Sequence, residues 1–256
     1  MKGILVVGHG STYPNSEKLV RMHCNALASR RPEKVYYAFY KPASDKLSEV
    51  VSSIFYSDVD DLLVIPFVMS EGKLAIRDLP DALGIRPMED GFAVSGDRKV
   101  HIRLGSPLGT HPEFGRLFSE QLVKLGVGKD SVLIIAGYKS EVRSYNDTLV
   151  HITDDLRSRG FADTVLVHIS DGQTDFDEGL DLAAKTDKPA VIVPLFISCG
   201  LHLQTEICSE LELNTHTCDG VCIHGSVPVQ VTVLQPLGLM DIMTEIIALE
   251  ASEAFD

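Results

Sequence analysis

The chain has 256 residues, 45% hydrophobic and 23% charged, a balance typical of soluble globular domains and unlike that of disordered or fibrous chains. Asp and Glu outnumber Lys and Arg by 36 to 23, for a net charge of −13; such an acidic surface repels phosphate backbones and anionic lipid, so neither nucleic acid nor a membrane is expected as a partner. No apolar run reaches the ~18 residues of a spanning helix, and the run after Gly3 stops at Val7, too short for a secretory signal, so a cytoplasmic location is expected.

In chain order, residues 4–7 form a short continuous apolar run that suits a strand buried on both faces of a parallel sheet. Residues 15–30 carry Leu19, Met22, His23, Ala26 and Leu27 at helical spacing, with Asn15 or Ser16 as the cap. Residues 35–40 read as a strand, and Ser44 opens a helix whose stripe is Leu47, Val50, Val51 and Ile54. A strand at 62–69, a short helix at 76–83, a strand at 101–104 and a helix at 112–125 complete the first half. The second half repeats the pattern, with Tyr145, Leu149, Ile152 and Leu156 as one helix stripe and Gly160 as its terminator. Strands alternating with helices imply parallel sheets with right-handed crossovers. The expected fold is α/β, two tandem flavodoxin-like domains at residues 1–128 and 129–256.

The repeat itself is explicit. Residues 4–11, ending in Gly8-His9-Gly10-Ser11, recur as 133–140, ending in Gly137-Tyr138-Lys139-Ser140, at an offset of 129. The run through Pro66-Phe67 recurs through Pro194-Leu195-Phe196 at an offset of 128, and Pro107-Leu108-Gly109 recurs as Pro236-Leu237-Gly238 at 129. Three ordered matches at one spacing define two homologous halves, and suggest a monomer with pseudo-twofold symmetry or a homodimer.

In open α/β sheets ligands bind beyond the carboxyl ends of the strands. His9 follows the first strand and His202 follows the buried strand of the second half, so both belong to that edge. Glu206 lies one helical turn after His202 on the same face, and a His and a carboxylate so placed can ligate a divalent ion or move protons to and from a substrate nitrogen. A lone His at a strand end is more often a hydrogen-bonded structural residue, which is the reading given to His23, His101, His111, His151 and His168. The run from Gly8 begins like a dinucleotide fingerprint, but Tyr13 replaces the third glycine. The run from Gly105 to Gly109 has its serine one position too early for a nucleophile elbow.

A hydrophobic strand ending in Gly-His-Gly-Ser, a Pro-Leu-Phe strand leading into Gly-x-His-x-x-x-Glu-Ile, and Pro107-Leu-Gly-Thr-His-Pro112 together resemble the class II tetrapyrrole chelatases of the sirohydrochlorin cobaltochelatase and ferrochelatase group, CbiX-like, over essentially the whole chain. The resemblance implies ATP-independent insertion of Co2+, Fe2+ or Ni2+ into sirohydrochlorin or a related tetrapyrrole, as in cobalamin or siroheme biosynthesis. It also implies that His9 and His202 act as catalytic and metal-handling residues with Glu206, and that Gly10, Ser11, Gly72 and Gly200 line the substrate. Lys139, Lys73 and Arg77 are candidates for holding substrate carboxylates.

This sequence splits the family's histidine pair. Leu74 stands in the first half where the second histidine would be, and Tyr138 in the second half where the first would be. Either His9 and His202 converge on one ligand, or one of them works alone. The alternative to an enzyme is a non-catalytic tetrapyrrole or metal carrier descended from a chelatase.

The five cysteines are too few and uneven for a disulfide scaffold. His216, Cys218, Cys222 and His224, with Cys208 upstream and Cys199 further back, could hold zinc or an iron–sulfur cluster, although the spacing is standard for neither; a mobile polar loop with reduced thiols is the alternative.

Overall fold

The computed structural model describes residues 1–10, 14–40, 46–86, 90–170, 173–197 and 200–255. They form two compact units, Met1–Pro112 with Met243–Asp256, and Glu113–Ile242. The first unit contains β1 (Lys2–Gly8), α1 (Pro14–Ala28), β2 (Lys34–Phe39), α2 (Leu47–Phe55), β3 (Asp61–Pro66), a π-helical turn (Leu74–Asp78) running into α3 (Leu79–Leu83), β4 (Gly91–Ser95) and β5 (Arg98–Leu104). The second contains α4 (Phe114–Lys124), β6 (Val132–Tyr138), α5 (Arg143–Ser158), β7 (Thr164–Ser170), β8 (Gln173–Thr174), α6 (Asp177–Thr186), β9 (Ala190–Pro194), α7 (Gly200–Glu210), β10 (Asp219–His224) and β11 (Val227–Val233). The last helix, α8 (Ile242–Phe255), counts with the first unit from Met243 onward.

The first sheet has the order β2-β1-β3-β5-β4, with β4 antiparallel on β5 and the other pairs parallel. The second has the order β8-β7-β6-β9-β11-β10, with β7, β6, β9 and β11 parallel and the edge strands β8 and β10 antiparallel. The parallel strands of both follow the flavodoxin-like order, as the alternation of elements implied. The central strands are buried along their length, Gly3 through Gly8 in β1 and all of β9, because helices cover both sheet faces.

Glycine stands at the end of β1 (Gly8) and next to the end of β6 (Gly137) for a packing reason. A methyl at Gly8 would sit 3.0 Å from the Phe39 ring, and one at Gly137 would meet the Leu149 side chain at 2.5 Å. The helix that follows each strand is therefore free to lie close against its carboxyl end, where a ligand edge forms.

Several expected elements shift. α1 starts at Pro14, whose fixed φ suits a first turn, so Asn15 and Ser16 lie inside the helix rather than ahead of it. Ser44 lies outside the described residues. The helix expected at 76–83 begins with the π turn at Leu74, and Pro80 stands where α7 has Cys208. Proline has no N–H to continue the ladder, which accounts for the broken helix of the first unit against the continuous α7 of the second. The segment from His216 to His224 is not a loop: it is largely edge strand β10, with Cys222 opposite Val229 in β11. Its counterpart in the first unit is β4, and both hairpins turn through a left-handed glycine, Gly96 (φ 58°) and Gly225 (φ 63°).

Although the sequence repeats meet near residue 128, the last helix of each repeat packs in the other compact unit. In the first unit α8 is anchored by the His23 imidazole to Thr244 Oγ1 at 2.8 Å and by Arg31 donating to Ser252 Oγ at 2.6 Å. In the second, α4 lies against α5, where a methyl at Gly115 would overlap the Asp155 carboxylate. The core of the first unit includes Leu5, Val7, Leu62, Val64, Leu74 and Ile102; that of the second includes Ile134, Val167, Ile192, Phe196 and Cys208.

Candidate functional site

At the carboxyl edge of the first sheet, backbone hydrogen bonds fix the turn that holds His9. Tyr40 N–H donates to Gly8 O at 3.1 Å on one side, and Phe67 N–H to Val7 O at 2.8 Å on the other. His9 is exposed, and the following Gly10 has a left-handed φ of 77°, a conformation glycine adopts without strain. The His9 Nδ1 lies 3.2 Å from Gly10 O. A carbonyl only accepts, so Nδ1 carries the proton and Nε2 keeps a lone pair for a metal or a proton. Ser11 lies outside the described residues. Gly72 sits just ahead of the π turn, with nothing within 4 Å of where a methyl would stand. Leu74, in the second-histidine position, is buried in the core and has no part in the edge. The Arg77 side chain is bound to Asp78, 2.7 Å away, whose carboxylate raises the guanidinium above its ordinary value.

At the corresponding edge of the second sheet, β6 ends at Tyr138 and β9 at Pro194, with Leu195 and Phe196 leading on from it. Leu195 N–H donates to Ala136 O at 2.9 Å, and Lys139 N–H to Ile169 O at 3.0 Å. The Tyr138 and Phe196 rings pack with centroids 4.6 Å apart at 54°, the tilted arrangement that aromatic quadrupoles favour. α7 buries Ile207 and Cys208 and leaves Thr205, Glu206, Ser209 and Glu210 exposed. Gln204 ties it to the end of β11 by donating to Val233 O at 3.2 Å. Gly200 and His202 lie in the first turn of this helix; the side chain of His202 is outside the described residues. Its place one turn before exposed Glu206 sets the two on one helix face. Lys139 is exposed beside Tyr138. The geometry thus assembles His9 with its backbone cradle in one unit, and the α7 turn with its aromatic neighbours in the other.

The Pro-Leu-Gly segments brace both edges, a role that their value as repeat markers does not reveal. Leu108 N–H donates to Val68 O at 2.8 Å, and Gly238 N–H to Phe196 O at 2.9 Å. A methyl at Gly109 would meet Met69 O at 2.5 Å, and one at Gly238 would meet Ile197 O at 2.2 Å. Backbone meets backbone here, and only glycine fits.

The cysteines and histidines of the last quarter do not gather as zinc or iron–sulfur ligands: among the described residues no three His, Cys, Asp or Glu side chains are grouped to hold a metal. Cys208 and Cys218 are buried together in the core, and burial, with Cys218 beside it, pushes the Cys208 thiol up to about 12. A thiol so raised stays protonated, whereas a metal ligand must be a thiolate. Cys222 packs half-buried against the same core, and burial, reinforced by Glu212, raises its thiol too. His216 is exposed in a turn whose N–H groups are held by Asn214 Oδ1. His224 bonds Asp181 on α6 at 2.8 Å through Nε2. A tight turn at Asn214, burial in the core and the pairing of His224 with α6 send these side chains to separate surroundings. Cys199 lies outside the described residues.

Comparison with known proteins gives the same doubling as the repeat: the CbiX family model matches residues 3–125 and again 132–254. Among curated relatives, the probable sirohydrochlorin cobaltochelatase of Halobacterium salinarum is 25% identical over 229 residues, covering 81% of this chain and 75% of the relative. The sirohydrochlorin cobaltochelatase of Methanococcoides burtonii is 24% identical over 125 residues, 48% of this chain and 95% of its own length. Among solved structures, SirB from Bacillus subtilis with Fe3+ matches with a TM-score of 0.74 at 14% identity, covering 99% of this chain and 95% of that one, a likeness of fold. The relative that matches across most of the chain and the one that is spent on half of it are what a doubled domain produces, and with the family model matching in both halves, the chain belongs to the CbiX family.

Proposed function

We propose that the protein is a metal chelatase that inserts a divalent ion, Co2+ first and Fe2+ or Ni2+ as alternatives, into sirohydrochlorin or a related tetrapyrrole without ATP. The observation that carries this reading is the family match in both halves, which falls on segments whose strand ends hold His9 and the His202 turn. Metallation exchanges two pyrrole N–H protons for one divalent cation, so charge balances without a phosphoryl donor. What the protein must supply is a base of near-neutral pKa and nitrogen or oxygen ligands that hold a partly desolvated ion loosely. His202 with Glu206 one turn away combines both. His9, with Nδ1 committed to Gly10 O, offers Nε2 for the same work.

A second reading, a tetrapyrrole or metal carrier without turnover, draws on one observation: each unit lacks one histidine of the pair that the resemblance implies, with Leu74 sunk in the core and Tyr138 packed at a tilt against Phe196. The test is anaerobic mixing of sirohydrochlorin with Co2+, Fe2+ or Ni2+ in turn, without nucleotide, followed by absorbance and corrected for the spontaneous rate. Acceleration with at least one ion supports the chelatase; binding of the macrocycle without acceleration supports the carrier.

A further inference from the structure

The second unit carries an aromatic pair where the first carries His9. Phe196 is buried, but Tyr138 leaves 42% of its surface exposed at the carboxyl end of β6. The ring is held from behind in two ways. Phe196 supports it directly, and the Tyr138 backbone N–H donates a hydrogen bond to the phenol oxygen of Tyr145 on α5, a phenol that burial nevertheless raises above its usual value. The strand itself is fixed to β7 with Tyr138 opposite Ile169. The exposed ring is thus anchored at the sheet edge where ligands of open α/β folds bind. A phenol, with an ordinary pKa near ~10, is a poor metal ligand at neutral pH, so this position no longer suits the ion. It does suit a flat conjugated surface, which a supported aromatic ring engages at little entropic cost because few rotamers remain to be frozen.

We propose that Tyr138, backed by Phe196, is a stacking residue for the face of the tetrapyrrole, so that this edge of the second unit recognises the macrocycle rather than the metal. This rests on the tetrapyrrole reading above. Stacking uses the ring and not the hydroxyl, which separates the proposal from a hydrogen-bonding or acid–base role. Because Tyr138 is partly exposed, its truncation leaves the core of the unit intact.

The test is equilibrium binding of metal-free sirohydrochlorin under anaerobic conditions with chelator present, read from the absorbance of the macrocycle. The variants are Tyr138→Ala, Tyr138→Phe and, as a surface control in the first unit, Tyr56→Ala, where the ring is 90% exposed. The proposal expects binding weakened roughly tenfold or more by Tyr138→Ala, within about twofold of wild type for Tyr138→Phe, and unchanged for Tyr56→Ala, with thermal melts superimposing. Equal affinity for wild type and Tyr138→Ala overturns it while leaving the chelatase reading intact, as does a loss in Tyr138→Phe as large as that in Tyr138→Ala. Unchanged affinity together with loss of self-association in Tyr138→Ala, measured by sedimentation, assigns the ring to a contact between copies and also overturns it. No binding by wild type at all removes both the proposal and the tetrapyrrole reading.

Discussion

The brace at Gly238 makes a prediction whose size can be worked from the structure. Replacing its hydrogen by a methyl sets a carbon 2.2 Å from Ile197 O and 2.9 Å from Ile197 C, when ordinary contact begins at 3.4 Å. The obstacle is backbone, so no rotamer relieves it; the segment between β9 and α7 must move by about 1 Å, and the Gly238 N–H bond to Phe196 O is disturbed with it. Overpacking of this kind costs about 1–3 kcal/mol, and a backbone clash belongs at the upper end, about 3 kcal/mol. Gly72→Ala, with open space around the new methyl, should stay within about 0.5 kcal/mol of wild type. Urea titrations of Gly238→Ala, Gly109→Ala and Gly72→Ala, followed by circular dichroism, give the comparison. The first two should lose stability and the third should not. Since Phe196 leads toward α7, Gly238→Ala should also weaken macrocycle binding. A Gly238→Ala protein as stable as Gly72→Ala refutes the brace.

Three further outcomes follow from the same geometry. His202→Ala should lower the metallation rate by about 10²–10⁴-fold, the loss typical of a general base, and His9→Ala by less; equal single losses with a double mutant little worse would mean the two act as one unit, and three unchanged rates would remove both from the mechanism. Burial raises the Glu250 carboxyl above its ordinary value, with the His111 charge and the Ser106 N–H opposing the shift. The native state therefore keeps a proton that the unfolded chain releases, and stability falls as pH rises past the usual carboxylate value and through the raised one. Glu250→Gln should be more stable than wild type at pH 7 and no more stable near pH 4, by urea midpoints; an advantage at pH 4 as large as that at pH 7 contradicts the assignment. Cys208 and Cys218, buried in the core, should resist alkylation in the native protein and react on unfolding, and zinc and iron contents should not differ between wild type and the Cys218→Ser, Cys222→Ser double variant.

The fold was legible because its signals are local and doubled. Continuous apolar runs such as Ile4–Val7 report strands covered on both faces, and the offsets of 128 and 129 report two copies of one unit. The edge strands β4 and β10 were missed because each is short and bounded by glycine and aspartate, Asp90-Gly91 and Gly96-Asp97 around one and Asp219-Gly220 and Gly225 around the other, which read as turns. The exchange of α4 and α8 between units leaves no mark in periodicity, since an amphipathic helix shows the same stripe whichever sheet it covers. Among candidate site residues, His9 could be placed from its strand alone. The cysteines misled because clustering in sequence is not clustering in space: the turn at Asn214 leaves His216 exposed, Cys208 and Cys218 are buried in the core, and His224 is drawn to Asp181 on α6. The aromatic edge had a usable signal, Phe67 and Phe196 at the repeat offset with Tyr138 in the histidine position, but its meaning depends on ring packing that only the folded unit shows.

The claim that a chelatase with a split histidine pair still turns over is tested most directly by substoichiometric protein. With sirohydrochlorin and Co2+ in large excess, under anaerobic conditions and without ATP, the account predicts metallated product well beyond one equivalent per chain at a rate proportional to protein concentration. Product that stops at one equivalent, or a rate equal to the spontaneous one, would contradict it.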